Sequence, residues 1–100
     1  MTVSINKDNF EKEVMQSNQT VLVDFFAEWC SPCKMLSPVI EEIANERDDI
    51  KVVKINIDSE PELATQFGVM SIPNLFIIKN GRIDKNLIGL QSKDTIMSYL

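Results

Sequence analysis

Apolar residues along this chain of 100 residues recur in two patterns, one typical of buried strands and one typical of helices. Two runs are almost entirely apolar and rich in β-branched or aromatic residues: TVLVDFFA at 20–27 and IKVVKINI at 50–57. Such runs predict strands that helices cover on both faces. A shorter strand is predicted for TVSI at 2–5.

Helical spacing appears in four further segments, because their apolar residues lie three or four positions apart. Phe10 and Val14 mark the first of them, and Ile96 and Leu100 mark the last. The four predicted helices are KDNFEKEVMQS at 7–17, SPCKMLSPVIEEIANE at 31–46, SEPELATQFG at 59–68 and SKDTIMSYL at 92–100.

Local signals locate the ends of these helices. Pro32 suits the first turn of the second helix, where a missing N–H costs nothing, whereas Pro38 lies inside that helix and predicts a kink. Ser59 and Glu62 have the spacing of a capping box at the start of the third helix. Gly68 is a suitable end for the same helix.

The segment NLFIIKNGRIDKNLIG at 74–89 predicts a β-hairpin, because Asn80-Gly81 joins two apolar runs through a tight turn. The element order is then β-α-β-α-β-α-β-β-α. Alternation at the start indicates parallel strands with crossover helices, and the hairpin adds an antiparallel pair. No linker or repeat interrupts the chain, so residues 1–100 are predicted to form one α/β domain with a mixed five-stranded sheet and helices on both faces.

Composition and charge narrow the classes of function. The formal net charge of −5 disfavours nucleic acid and anionic membranes as partners. No apolar run is long enough to cross a bilayer, and the charged segment that begins at Lys7 does not resemble a secretion signal. We therefore expect a cytoplasmic, monomeric protein. The absence of histidine excludes Ser-His and Cys-His catalysis and every zinc site that needs histidine.

The two cysteines of the chain lie in AEWCSPCKML at 27–36, where a buried strand ends and a helix begins. The unpaired N–H groups and positive dipole end of a helix N-terminus favour a thiolate on Cys30. The spacing places Cys33 within disulfide reach, and Pro32 keeps the turn rigid. This geometry predicts an exposed attacking Cys30 and a more buried resolving Cys33. A half metal site completed by a second chain, and an inert pair, remain as alternatives to redox chemistry.

Asp24 is the one acid inside the first long apolar strand. Because a bare carboxylate is costly there, Asp24 should be protonated, paired or both, with a raised pKa suited to taking the proton of Cys33. The alternative is an acid at the end of the strand that reaches solvent.

These residues resemble the thioredoxin family. The likeness rests on VDFFAEWCSPCKMLSPVIEEIA, VVKINID, the SIP of MSIPN, and KNG, and it extends over nearly the whole chain in the same order. The resemblance implies a thioredoxin fold with strand order 1-3-2-4-5 and four helices on both faces of the sheet. It also implies reduction of protein disulfides through a Cys30–Cys33 redox disulfide, with no cofactor of its own. Electrons would come from a thioredoxin reductase, which uses NADPH or another donor.

The resemblance also assigns residues one by one. Cys30 matches the nucleophile and Cys33 the resolving cysteine, while Asp24 matches the buried acid and Lys54 its neighbour on the next strand. The alternative for Lys54 is that it simply faces water, as a lysine in a strand often does. Pro73 matches a proline that the family holds in cis, which would leave the backbone of the preceding residue free to pair with an extended substrate. The expected substrate-binding rim, for whose aliphatic members ordinary packing is the alternative, comprises Trp29, Ser31, Pro32, Ile57, Met70, Ile72, Ile88 and Gly89.

The chain departs from the family pattern at several positions. Ser31, Ser71 and Asn74 replace the usual Gly, Gly and Thr, Phe26 stands where Trp is common, and the last helix ends early. Ser31 could donate a hydrogen bond to a Cys30 thiolate, which would make the disulfide more oxidising. Two alternatives to a general disulfide reductase therefore stay open: a binding module with incidental cysteines, and a dedicated reductant for one acceptor with a specialised reductase.

Overall fold

The computed structural model describes all 100 residues and contains every strand and helix that the apolar pattern predicts. The five strands are β1 Thr2–Ser4, β2 Thr20–Phe26, β3 Ile50–Asn56, β4 Asn74–Lys79 and β5 Arg82–Ile88. The four helices are the N-terminal π-helix Glu11–Met15 and three α-helices, α1 Ser31–Glu46, α2 Pro61–Gln66 and α3 Lys93–Met97.

The strands form one sheet in the order β1-β3-β2-β4-β5. β1, β3 and β2 run parallel, whereas β4 is antiparallel to both of its neighbours, β2 and β5. This arrangement confirms the mixed sheet that the apolar pattern predicts and the strand order that the family resemblance implies. Because β4 is antiparallel, its first residues lie at the same end of the sheet as the last residues of β2 and β3.

Each face of the sheet carries its own apolar core, as predicted for strands covered on both sides. The π-helix and α2 cover one face, and α1 and α3 cover the other. The first core contains Ile5, Phe10, Val14, Val21, Val23, Phe25, Val53, Ile55, Leu63, Phe76 and Ile78. The second contains Leu22, Leu36, Ile40, Ile43, Ala44, Ile50, Val52, Leu75, Ile77, Leu87 and Ile96.

The predicted hairpin turn is confirmed. Asn80 and Gly81 have φ angles of 53° and 75°, the two left-handed conformations of a type I′ turn. A Cβ atom on Gly81 would also lie 3.0 Å from the carbonyl oxygen of Met15, so the turn packs closely on the π-helix.

The helix ends differ from the sequence prediction. The first helix comprises Glu11–Met15 and is therefore shorter than the predicted 7–17. The prediction of a capping box formed by Ser59 and Glu62 is wrong, because the N-cap of α2 is Glu60 and no side chain caps that helix. The Asn56 side chain instead accepts hydrogen bonds from the N–H groups of residues 58 and 59, and this turn replaces the cap. α3 ends at Met97, and the N–H groups of the last two residues donate i→i−3 hydrogen bonds instead of continuing the α-helix to residue 100.

α1 is the longest helix and runs through Pro38 without a break. Its apolar residues face the sheet, whereas its first turn projects beyond the end of β2. The fold therefore brings the loop after β2, the start of α1 and the start of β4 to one end of the sheet.

No helix has both the length and the apolar character that crossing a bilayer requires.

Candidate active site

The two cysteines form a disulfide at the N-terminus of α1, with their Cα atoms 5.2 Å apart. Cys30 is the N-cap residue, and its Sγ accepts a hydrogen bond of 3.2 Å from the N–H of Cys33. Pro32 lies in the first turn, as predicted. A backbone N–H and the helix dipole are therefore directed at the sulfur of Cys30, where they would stabilise a thiolate.

The predicted difference in exposure between the two cysteines is absent in the disulfide form. Cys30 is 5% exposed and Cys33 is 4% exposed, because each bonded sulfur covers the other and both pack on Ala27. The apolar side chains that pack against this small cluster come from three loops or strand ends: Phe26, Ile57 and Ile72.

Asp24 lies inside the sheet and is 2% exposed, so the alternative of a carboxylate that reaches solvent is wrong. It shares the α1 face of β2 with Leu22, two residues earlier, which places it under the helix that carries Cys33. Its Oδ1 atom has no hydrogen-bond partner. Burial raises the pKa of Asp24 from 3.8 to about 6, and the nearby positive charge of Lys54 opposes that rise.

Lys54 is the partner of Asp24 in the register between β2 and β3, yet its ammonium group forms no salt bridge. The Nζ atom donates a hydrogen bond of 3.2 Å to the Ser37 hydroxyl and lies 4.6 Å from the centre of the Phe26 ring. The aromatic face attracts the cation, so the ammonium is held by α1 and β2 together. The pKa of Asp24 is therefore raised, and its carboxyl group forms no ion pair with Lys54.

Pro73 is buried and follows a cis peptide bond, as the resemblance implies. Its carbonyl oxygen accepts a hydrogen bond of 2.8 Å from the N–H of Gly89, which ties the end of β5 to the start of β4. The N–H and carbonyl groups of Ile72 make no hydrogen bond within the protein. Ile72 therefore presents an unpaired stretch of backbone beside the cysteines.

The remaining residues of the expected substrate-binding rim are spread around this end of the sheet. Trp29 is 67% exposed, and its indole Nε1–H donates to Asp58 Oδ2 at 2.8 Å. Met70 is 96% exposed, and Ile88 is also exposed. Ser31 is exposed, and its hydroxyl makes no hydrogen bond in the disulfide form.

Three side chains at this end of the sheet were missed by the sequence reasoning. Asp58 anchors Trp29, Ser37 binds Lys54, and Asn86 donates hydrogen bonds to the Asn74 side chain and to the Leu75 carbonyl. Ser37 lies one helical turn after Cys33 in the printed sequence, a spacing that could have indicated it. No group of three or more His, Cys, Asp or Glu side chains converges into an arrangement able to hold a metal ion.

Comparison with known proteins agrees with the geometry of the site. The thioredoxin family model matches residues 1–100. The chain is 44% identical to a thioredoxin of Rickettsia felis over 101 residues, which is all of this chain and 96% of the relative. It is 44% identical to a thioredoxin of Mycobacterium tuberculosis over 100 residues, which is 99% of this chain and 86% of the relative.

Proposed function

Since the chain belongs to the thioredoxin family and is a dithiol–disulfide oxidoreductase, we propose that it reduces disulfides of other proteins and is itself reduced by a thioredoxin reductase. The observation that carries the proposal is the cysteine pair at the N-terminus of α1, with the buried, unpaired carboxyl group of Asp24 under the same helix. One member of the pair is in position to attack, and a proton acceptor is available for the other.

The reaction consists of two thiol–disulfide exchanges. The Cys30 thiolate attacks one sulfur of the substrate disulfide, so that a Cys30–substrate bond forms and the other substrate sulfur leaves as a thiolate. Cys33 then gives its proton to the Asp24 carboxylate and attacks Cys30 Sγ. The Cys30–Cys33 disulfide forms, the second substrate thiolate leaves, and two electrons have passed from the protein to the substrate.

Substrate binding is proposed for the surface around the disulfide. The free N–H and carbonyl groups of Ile72 suit an extended peptide, which would add main-chain hydrogen bonds next to the reacting sulfurs. Trp29 and Met70 offer exposed apolar area, and the flexible thioether of Met70 suits partners of varied shape. The hydrogen bond between Gly89 and Pro73 fixes the far side of this surface.

The same proposal assigns the protein to the cytoplasm as a monomer without a bound cofactor. A reducing compartment returns the Cys30–Cys33 disulfide to the dithiol form, which the catalytic cycle requires. The electrons of NADPH or of another donor would then arrive only through the reductase. The net charge of −5 argues against nucleic acid or an anionic membrane as a partner.

Reduction of insulin by dithiothreitol tests the activity, because free B chains precipitate and the turbidity is easily followed. We expect the protein to accelerate precipitation, whereas the Cys30→Ser variant should not. A binding module with incidental cysteines would give the same turbidity curve as buffer. Replacing dithiothreitol with NADPH and a thioredoxin reductase then tests the proposed electron donor separately, and failure of only this second assay would indicate a specialised reductase.

The Ser31→Gly variant tests how the residues between the cysteines set the redox balance. A hydroxyl that donates to the Cys30 thiolate favours the reduced form, and a hydrogen bond to a charged group contributes about 1.5–3 kcal/mol. Since Ser31 is exposed, solvent cancels part of this contribution, and we expect the Ser31→Gly potential to be lower by roughly 10–40 mV. Equilibration of both proteins against a dithiothreitol buffer measures the change. An equal or higher potential in the variant would show that Ser31 does not stabilise the thiolate.

A further inference from the structure

A cavity of about 170 Å³ lies between the first turns of α1 and the ends of β2 and β3. One wall carries Cys33, and another carries the Lys54 ammonium with its two partners, the Ser37 hydroxyl and the Phe26 ring. The cavity is lined by Phe26, Ala27, Glu28, Cys33, Lys34, Ser37 and Lys54. The Lys54 ammonium therefore lines the same cavity as the resolving cysteine, and a serine from the helix that carries this cysteine holds it there.

The sheet register gives Lys54 an alternative partner. Asp24 and Lys54 lie directly opposite each other on neighbouring parallel strands, so their side chains leave the sheet on the same face. Neighbouring strands are about 4.8 Å apart, and a lysine side chain is long and flexible enough to bring its ammonium to a carboxylate at that separation. The structure nevertheless shows no ion pair between them, and Oδ1 of Asp24 is left without a partner.

We propose that Ser37 is a positioning residue for the resolving step: its hydroxyl holds the Lys54 ammonium on the wall of the cavity and out of contact with the Asp24 carboxyl group. The proposal rests on the proposed function, in which Asp24 accepts the proton of Cys33. Ser37 itself touches neither the substrate nor the reacting sulfurs and acts only through Lys54.

The consequence for proton transfer follows from the charges around Asp24. Lys54 on β3 is the one charged group that lowers its pKa, and β4 offers the apolar Leu75 as the register partner on the other side. On α1 the groups toward the cavity are Cys33 and Lys34, while Glu28 lines the cavity from the preceding loop. An ammonium in contact would stabilise the carboxylate and make it a weaker base. An ammonium held by Ser37 leaves Asp24 with a pKa of about 6, near the value that suits a base at neutral pH.

The test is a titration of the Asp24 carboxyl carbon by ¹³C NMR in the oxidised protein, where neither cysteine titrates. In Ser37→Ala the ammonium loses its anchor and can approach Asp24, so we expect the Asp24 pKa to fall by about one pH unit. Ser37→Thr keeps the hydroxyl and should titrate as the parent does. In a Lys54→Met background, Ser37→Ala should have no further effect, because the charge that Ser37 positions is absent.

Two results would overturn the proposal. An unchanged pKa in Ser37→Ala would mean that the Phe26 ring alone holds the ammonium. A fall of the same size in the Lys54→Met background would mean that Ser37 acts on Asp24 by another route. Both readings come from the disulfide form and need no turnover, so they stand whether or not the protein reduces insulin. In the enzyme assay, the pH midpoint of mixed-disulfide resolution should move with the Asp24 pKa.

Discussion

Replacing Cys30 with serine should abolish disulfide reduction, whereas replacing Cys33 should stop the reaction half-way and trap the substrate. The N–H of Cys33 donates to the Cys30 sulfur at the N-terminus of α1, so Cys30 is the sulfur that the helix stabilises as a thiolate. A hydroxyl cannot replace a thiolate as the nucleophile in thiol–disulfide exchange. Without Cys33, the mixed disulfide on Cys30 has no internal thiol to resolve it.

Three measurements check these roles. Insulin turbidity with Cys30→Ser should not differ from the reaction without protein. Non-reducing electrophoresis of Cys33→Ser mixed with a disulfide substrate should show a covalent adduct that dithiothreitol removes. In the reduced parent protein, limiting iodoacetamide should label Cys30 before Cys33. Faster labelling of Cys33 would mean that the two roles are reversed. The labelling test is needed because the two residues are equally buried in the disulfide form.

The second large effect is on stability: Asp24→Asn should raise the free energy of unfolding at neutral pH. A carboxylate in this strand is nearly inaccessible to water and has one oxygen without a hydrogen bond, so its charge is a net cost to the folded state. The rise of the Asp24 pKa from 3.8 to about 6 means that this carboxylate lowers the free energy of unfolding by about 3 kcal/mol at pH 7. An amide also carries a burial cost, so we expect a gain of roughly 1–3 kcal/mol.

The sign of the pH dependence follows from the raised pKa. Between about pH 4 and pH 6 the folded protein keeps the proton on Asp24 whereas the unfolded chain has lost it, so stability falls as the pH rises through this window. Below the window both states are protonated and the penalty disappears. Above it both states are ionised and the penalty is complete. The advantage of Asp24→Asn should therefore be absent at pH 3.5, grow through the window and remain constant above pH 7.

Urea denaturation of both proteins at several pH values measures this difference. Asp48→Asn is a matched control, because Asp48 is an exposed carboxylate whose side chain makes no hydrogen bond. The control should leave the midpoint unchanged at every pH. Equal midpoints for the parent and Asp24→Asn at pH 7 would contradict a costly buried carboxylate.

The same substitution should slow the resolving step, since the amide cannot take the proton of Cys33. We expect the rate at which a mixed disulfide on Cys30 is released to fall by roughly 10–100-fold near neutral pH, within the range for loss of a positioned general base. Rapid quenched-flow with acid, followed by separation of the mixed-disulfide adduct from the free protein, measures this rate directly. A stable variant with an unchanged release rate would show that Cys33 loses its proton to water or to another group.

The sequence by itself determined the fold class and the reacting cysteine pair, whereas the order of the strands came only from the resemblance to the thioredoxin family. Runs such as 20–27 and 50–57 are apolar on both sides, so they had to be central strands, and the Asn80-Gly81 turn could serve only a hairpin. Asp24 stood out for the same reason, because an isolated acid in such a run is costly wherever the chain folds. The strands, the hairpin turn and Asp24 could be predicted because they depend on short-range patterns, in which neighbours along the chain already fix the environment.

Only the tertiary structure decided which partner each polar side chain around the site binds. The register between β2 and β3 brings Lys54 opposite Asp24, yet α1 supplies Ser37 and β2 supplies the Phe26 ring, and these two groups hold the ammonium instead. The bond from Trp29 to Asp58 and the loss of the expected capping box at α2 also depend on loops that meet in space. Differences of a few tenths of an ångström decide which of several neighbouring groups a polar side chain binds. These distances are set by the packing of segments that are far apart in the sequence.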